Sequence, residues 1–247
     1  MLAFPLAGGA GAEERLRVAT WNIGLERDGP GLLLRDITGG KDAQVLASVA
    51  VLAALDADVV LLTGFDHDAG LAALDAFRDA LAKGGVAYGY RFALNPNTGV
   101  PTGLDIDGNG RSGEARDAQG WGKFRGAGGM AVLSRLPVDV AGVRDFSKLL
   151  WRDLPDAQLP GDMAAQNLQG QRLSTTGHWD VPLVLPDGGA LHLWAWHATP
   201  PVFDGPEDRN GRRNHDEAAF WLAYLDGRIG MAPPRGSCFW GMPTWTR

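Results

Sequence analysis

The segment that most limits the fold is Asp58–Leu62, which reads DVVLL and contains a run of branched apolar residues without polar alternation. A strand of this kind needs cover on both faces, because an exposed face would leave apolar side chains in water. The sequence therefore predicts a strand inside a sheet, with further layers on both sides. With 247 residues and 45% hydrophobic content, the chain can build these layers in one domain.

Strand and helix patterns alternate around this segment. We predict strands at 16–23, 58–62, 88–94, 130–134 and 191–197, and helices at 43–55, 70–83 and 210–225. Asp42 is suited to cap the first helix, and Gly84 and Gly85 to end the second. The segment 95–129 is rich in Gly, Asn and Asp and is predicted to be a long loop, of a kind that is functional or disordered and not a linker. The alternation favours one α/β domain.

Polar side chains follow three of the predicted strands. Asn22 ends the first strand, the residues Asp66, His67 and Asp68 follow the second, and His197 closes the apolar run LHLWAW. Sites in α/β proteins form in loops at strand ends, so we expect these groups to converge. Carboxylate and amide oxygens suit a hard divalent cation, and histidine transfers protons near neutral pH.

Three further polar segments have a functional and a structural interpretation. His178–Asp180 and Arg212–Asn214 could donate hydrogen bonds to a phosphate, although a solvated helix face explains the arginines equally well. Asp105–Gly110 begins like a calcium-binding loop, but Arg116 stands where an EF-hand requires a bidentate Glu. An Asx-rich turn is therefore the favoured interpretation, with a different oxygen-ligand loop as the alternative.

Charge and composition restrict the partners. The net charge of −6 argues against nonspecific binding of nucleic acid, without excluding a nuclease, because a bound divalent ion adds positive charge of its own. The sequence contains no apolar run long enough to span a bilayer. Cys238 is the single cysteine, so an intrachain disulfide is excluded. Nothing in the sequence indicates an oligomeric state.

Six segments together resemble the bacterial endonuclease/exonuclease/phosphatase family. They are RVATWNIGL (17–25), ADVVLLTGFDHD (57–68), NTGVPTGLDIDGNG (97–110), GMAVLSRLPV (129–138), HWDVP (178–182) and HATPPVFDGPEDRNGRRNHDE (197–217). The resemblance implies two packed β-sheets flanked by helices, a deoxyribonuclease-like four-layer sandwich. It also implies attack of water on a phosphate ester with a divalent metal, Mg²⁺ first, with Mn²⁺ or Ca²⁺ as alternatives.

The resemblance assigns roles to particular residues. Asn22 resembles the amide close to metal and phosphate, and His197 resembles the histidine that faces the phosphoryl group. His178, Asn210 and Arg213 are expected to bind substrate. Glu217 resembles a support of the same site. A small phosphoester is expected as the substrate in preference to duplex DNA, because the chain is acidic.

Two features depart from the family pattern. The family usually has a metal-binding Glu after the second buried strand, where this chain has Gly64, and we predict that Asp66 replaces it, with Asp68 as the alternative. The family also has a strand ending in Asp-x-Asn and a terminal Ser-Asp-His, which position and activate the attacking water. This sequence contains neither motif.

The domain prediction accounts for the missing motifs. We predict a leader or signal remnant at 1–14, a truncated phosphoesterase domain at 15–227 and an out-of-frame tail at 228–247, because another reading frame of the tail codons could encode the Asp-x-Asn strand. Impaired activity is expected, and a noncatalytic remnant that binds metal or phosphate is the alternative. A tryptophan-rich binding module is a third hypothesis. The intact relative could be exported, and the cytoplasm is the other expectation.

Overall fold

The computed structural model describes residues 16–230, Ala232 and the pair Cys238–Phe239. Two four-stranded sheets have the strand orders β1-β2-β4-β3 and β5-β6-β7-β8. The strands are β1 Val18–Leu25, β2 Val59–Phe65, β3 Tyr90–Phe92, β4 Gly129–Ser134, β5 Arg144–Asp145, β6 His178–Val184, β7 Ala190–Trp196 and β8 Cys238–Phe239. The helices are α1 Leu32–Gly39, α2 Ala43–Leu55, α3 Ala72–Lys83, α4 Ala165–Gly170 and α5 Arg209–Leu225.

Strand β2 is inside the first sheet, as its sequence predicts. It pairs in parallel with β1 and antiparallel with β4, and every one of its residues is buried. Val60 and Leu62 face the core that α1, α2 and α3 cover, while Val59 and Leu61 face the core between the sheets. Both faces of the strand are therefore covered, which removes its apolar side chains from water.

The second sheet is covered in the same alternating way. Leu193 and Ala195 of β7 pack between the sheets, whereas Trp194 and Trp196 face α5. The rings of Trp194 and Trp221 stack with centroids 5.0 Å apart. The layers therefore run helices, sheet, sheet, helix, which confirms the predicted four-layer α/β sandwich.

Most predicted elements are present, and their ends follow local signals. The Asp42 side chain accepts a hydrogen bond from the Val45 amide at 2.8 Å, which starts α2 at the predicted residue. Helix α3 begins at Ala72, after a short 3₁₀ turn over Ala69–Leu71. Helix α1 was not predicted, since it begins after Gly31 without a side-chain cap. Strand β6 was not predicted either.

A β-bulge interrupts the first sheet at Gly64. Asn22 pairs with Thr63 and Leu25 pairs with Phe65, so the register shifts between these two pairs. The β2–β4 register shifts at the same place. Gly64 has φ 65°, a left-handed conformation that residues with a side chain rarely adopt. The bulge places the ends of β1 and β2 beside the candidate site.

The long loop at 95–128 is ordered by hydrogen bonds to the second sheet's side of the molecule. The Asn97 side chain donates to the carbonyls of Ser147 and Ser174, both at 2.7 Å, and accepts from Arg172. The loop therefore forms a fixed wall, which favours the functional interpretation of this segment over the disordered one. Among the described residues, no helix is both long and apolar enough to cross a membrane.

The predicted terminal segments fall largely outside the described residues. The leader at 1–14 lies entirely outside them. Of the tail at 228–247, the structure describes residues 228–230, Ala232 and β8, which pairs in parallel with β7. The leader and the out-of-frame tail stay predictions.

Candidate functional site

A cavity of about 1090 Å³ lies where the ends of β1 and β7 and the start of α5 meet the loop at 95–128. Its lining includes Glu26, Thr98, Trp121, His197, Arg209 and Asn210. Residues from both sheets contribute, so the cavity lies across the two halves of the sandwich. The predicted long loop forms one of its walls.

His197 follows β7 directly and lines this cavity. Burial lowers the pKa of its imidazole to about 4, because a charged ring would lose its hydration. Within residues 16–230 the ring has no hydrogen-bond partner. The structure thus presents a neutral, unpaired imidazole to the cavity near pH 7.

Asn22 and Glu26 border one small space beside the bulge. A Cβ atom added to Gly64 would lie 2.6 Å from Asn22 Oδ1 and 3.0 Å from Glu26 Oε1. A Cβ atom on Gly128 would lie 2.8 Å from Glu26 Oε1. The two glycines therefore leave the room that the Glu26 carboxylate occupies. Glu26 lines the cavity that His197 also lines, and Asn22 is therefore next to this cavity.

The Glu26 carboxylate is exposed to solvent at the cavity, but its charged form is disfavoured there. Partial burial raises its pKa, and the nearby negative charge of Asp66 raises it further. No residue of the described chain donates a hydrogen bond to this carboxylate or forms an ion pair with it. Together with the Asn22 amide oxygen, it offers the oxygen donors that hard divalent cations take.

Asp66, the predicted metal ligand, holds two backbone amides. Its two carboxylate oxygens accept the backbone amides of Arg27 at 2.8 Å and Gly128 at 2.9 Å, and the residue is 6% exposed. Asp68 Oδ2 accepts the Ala73 amide at the start of α3. These contacts argue against Asp66 as the replacement ligand, because its oxygens already hold the loops that follow β1 and precede β4.

The three residues of α5 that were expected at the site are brought together, but mostly as supports. The Arg213 guanidinium donates to the backbone carbonyls of Gln119, Arg172 and Leu173. Its pKa is lowered to about 10, chiefly by burial. Carbonyl groups thus occupy Nε and Nη2 of Arg213, which also lines the cavity, and its binding of substrate stays a prediction.

Glu217 and Asn210 connect α5 to the chain around His197. Glu217 is fully buried, and its two oxygens accept the Thr175 and Thr199 amides, both at 2.6 Å. Asn210 lines the cavity and donates its side-chain amide to the Val202 carbonyl at 2.7 Å. Glu217 therefore fixes the turn that follows His197, as a support of the site would.

His178 is not at the surface of the cavity, which corrects its predicted role in substrate binding. It is fully buried in β6, and its Nε2 donates to the Glu217 carbonyl at 2.8 Å. Its Nδ1 lies 2.5 Å from the Ser174 hydroxyl. The ring packs against Trp196, Phe220 and Trp221. His178 is therefore a hydrogen-bonded histidine of the core.

The sequence model of the endonuclease/exonuclease/phosphatase family matches residues 19–241. The chain belongs to this family. The comparison with curated proteins gave no match.

Several solved structures are similar to this family member. An endonuclease/exonuclease/phosphatase from Beutenbergia cavernae has 20% identity and a TM-score of 0.47, covering 85% of this chain and 43% of its own. Sphingomyelinase C from Streptomyces griseocarneus has 18% identity and a TM-score of 0.47, covering 91% and 62%. A mannosyl-6-phosphatase from Bacteroides thetaiotaomicron has 14% identity and a TM-score of 0.43, covering 92% and 64%. This family member thus spans less than two thirds of the length of each.

The aspartate-rich segment of this family member forms a turn. Asp105 accepts the backbone amides of Gly108, Asn109 and Gly110, and Asp117 accepts those of Ile106 and Glu114. One oxygen each of Asp105, Asp107 and Asp117 lie within 4.8 Å of one another. Since backbone amides already neutralise two of these carboxylates, the favoured Asx-rich turn explains the segment.

Acidification is expected to destabilise this family member through His178. Burial lowers the pKa of His178 to about 4, whereas the unfolded chain titrates near 6.5. The unfolded state therefore binds more protons as the pH falls below 6.5, and the free energy of unfolding decreases by up to about 3 kcal/mol by pH 4. Urea titrations at pH 7 and pH 4.5 measure this loss, which should be smaller in His178→Gln. An equal loss in both proteins would contradict it.

Proposed function

We propose that this protein hydrolyses phosphate esters with the help of a divalent metal ion. The observation that carries the proposal is the shared cavity, in which an unpaired, neutral imidazole and unpaired oxygen donors come from the ends of two different sheets. Membership of the endonuclease/exonuclease/phosphatase family supports the same class of reaction. In this reaction water forms a bond to phosphorus, the ester P–O bond breaks, and the leaving oxygen takes up a proton.

The proposed roles follow from what each group can donate or accept. A divalent ion, when bound, supplies positive charge for the phosphoryl oxygens. Asn22 offers its amide oxygen to that ion. The neutral His197 ring can donate an N–H hydrogen bond to a phosphoryl oxygen through one nitrogen. Thr98 lines the same cavity, but its hydroxyl oxygen is buried and has no hydrogen-bond partner among the residues described.

The cavity walls favour a small organic phosphoester. Trp121 and Phe203 line it and are 61% and 86% exposed, which provides apolar surface for an organic group. Arg209 also lines it and donates to neutral oxygens, those of Ile106 and Gln171. Its positive charge can attract an anion, whereas the net charge of −6 disfavours a long polyanion. We therefore propose a small phosphodiester or phosphomonoester over duplex DNA.

An activity assay tests the proposal. Purified protein is incubated with bis-p-nitrophenyl phosphate or p-nitrophenyl phosphate and Mg²⁺, Mn²⁺ or Ca²⁺. We expect release of p-nitrophenol with at least one of these ions, its loss in EDTA, and its return when the ion is added in excess. The alternative, a noncatalytic protein that binds metal or phosphate, predicts a folded chain without turnover under any of these conditions.

A further inference from the structure

The Glu26 carboxylate lies in a space that two glycines keep open. Gly64, at φ 65°, and Gly128, at φ 56°, both approach it so closely that a Cβ atom on either residue would meet its oxygens. A side chain at position 64 would also lie 2.6 Å from Asn22 Oδ1. The backbone around Glu26 is therefore shaped to hold a carboxylate from β1 at this point, and not one from β2.

The positive charges of Arg27 and Lys123 are directed at other carboxylates. The Arg27 guanidinium binds Asp36 at 2.8 Å and also contacts Asp42. Lys123 binds Asp28 at 2.5 Å. The Glu26 carboxylate thus faces the Asn22 amide oxygen and the negative field of Asp66 without a cationic partner in the described chain. Acceptor oxygens that converge without a donor between them are stabilised by a cation.

Several other carboxylates near the cavity already have partners. Both oxygens of Asp66 accept backbone amides. Asp105 and Asp117 accept the amides of their own turn, and Asp107 pairs with Arg116 at 2.8 Å. Glu217 is fully buried and holds two amides. Glu26 differs from these carboxylates in being accessible from the cavity and unpaired within residues 16–230, and its Oε1 borders the same small space as Asn22 Oδ1.

We infer that Glu26 is the carboxylate ligand of the divalent ion, binding it together with Asn22 at the end of β1. This inference rests on the proposed function and names the residue that replaces the acid missing at position 64. In the family this carboxylate comes from β2, whereas here Glu26, which follows the neighbouring strand β1, supplies it. The bulge and its glycine at position 64 leave the space that the Glu26 side chain occupies.

Direct measurement of Mn²⁺ binding tests this inference without relying on turnover. Isothermal titration calorimetry of the whole chain is compared with that of Glu26→Gln and Asp28→Asn. The first variant removes the charge and keeps the shape, while the second removes an exposed carboxylate two residues away. We expect Glu26→Gln to weaken Mn²⁺ binding at least about tenfold, and Asp28→Asn to change it less than about twofold.

Thermal melting of the same proteins separates loss of a ligand from loss of the fold. The Glu26 side chain makes no hydrogen bond within the described residues, and its charged form is disfavoured there. Glu26→Gln should therefore melt without metal at or above the wild-type temperature, but Mn²⁺ should no longer raise its melting temperature. A folded Glu26→Gln that binds Mn²⁺ as well as the wild type overturns the inference, as does a wild type without Mn²⁺ affinity. Weakened Mn²⁺ binding in Glu26→Gln alongside a wild type that hydrolyses no phosphoester would uphold the inference and overturn the proposed function.

Discussion

Replacing His197 by alanine is expected to reduce the metal-dependent hydrolysis of bis-p-nitrophenyl phosphate by about 100-fold to 10,000-fold, the range for loss of a group that transfers a proton or donates to the reacting centre. The reason is the position of the ring, which lines the cavity and has no hydrogen-bond partner in the part of the chain described. The measurement is kcat at saturating substrate and Mn²⁺.

A histidine outside the cavity provides the control for this variant. The His215 side chain lies on α5 and is 56% exposed, so His215→Ala should retain turnover close to that of the wild type. Circular dichroism of both variants verifies that they are folded. If His197→Ala is folded and turns over as fast as His215→Ala, His197 is not at the reacting centre.

The substitution with the largest expected effect on stability is Glu217→Gln. Both carboxylate oxygens accept a backbone amide at 2.6 Å in a fully buried position, and a glutamine would place an NH₂ group against one of those amides. It would also remove the negative charge that faces the buried Arg213. We expect a loss of about 3 kcal/mol or more in the free energy of unfolding. Urea titration at pH 7 measures it.

The same substitution should lower activity, because Thr199 is two residues after His197 and its amide would lose its acceptor. Glu207→Gln is the matched control for stability, since this glutamate accepts the nearby Gly205 amide in a solvent-exposed hydrogen bond. We expect little change in the stability of the control. If the free energy of unfolding of Glu217→Gln equals that of the wild type, the two amides find other acceptors and the glutamate does not fix this turn.

Much of the fold could be predicted from the sequence because local patterns agree with the final layers. The apolar run of β2 indicated a strand covered on both faces, and Asp42 marked the first residue of α2. Strand β6 was missed because His178 and Asp180 look like polar site residues in the sequence. In the structure both are buried, and Asp180 is paired with Tyr224 at 2.6 Å and His192 at 2.7 Å. Pairing of this kind is invisible in a sequence pattern.

The candidate site was predictable only in part. Strand-end positions indicated Asn22 and His197, which the structure places at or beside the same cavity. Glu26 was missed because GLER, read along the chain, looks like a solvated turn after a strand. Its significance depends on a register shift between two strands and on two distant glycines. The one available signal was the presence of an acid directly after β1 in a chain that has Gly64 where the family usually has a glutamate.

The assembly of the cavity from both sheets has a consequence for how this protein loses function. Asn22 and Glu26 belong to the half of the molecule that includes α1–α3, whereas His197 belongs to the half that α5 covers. The apolar layer between the sheets, which includes Leu61 and Leu193, and the hydrogen bonds of the loop at 95–128 set the distance between these groups. Slight sliding of one sheet over the other would separate them while leaving every helix and strand intact. Inactivation by heat or denaturant should therefore precede the loss of secondary structure.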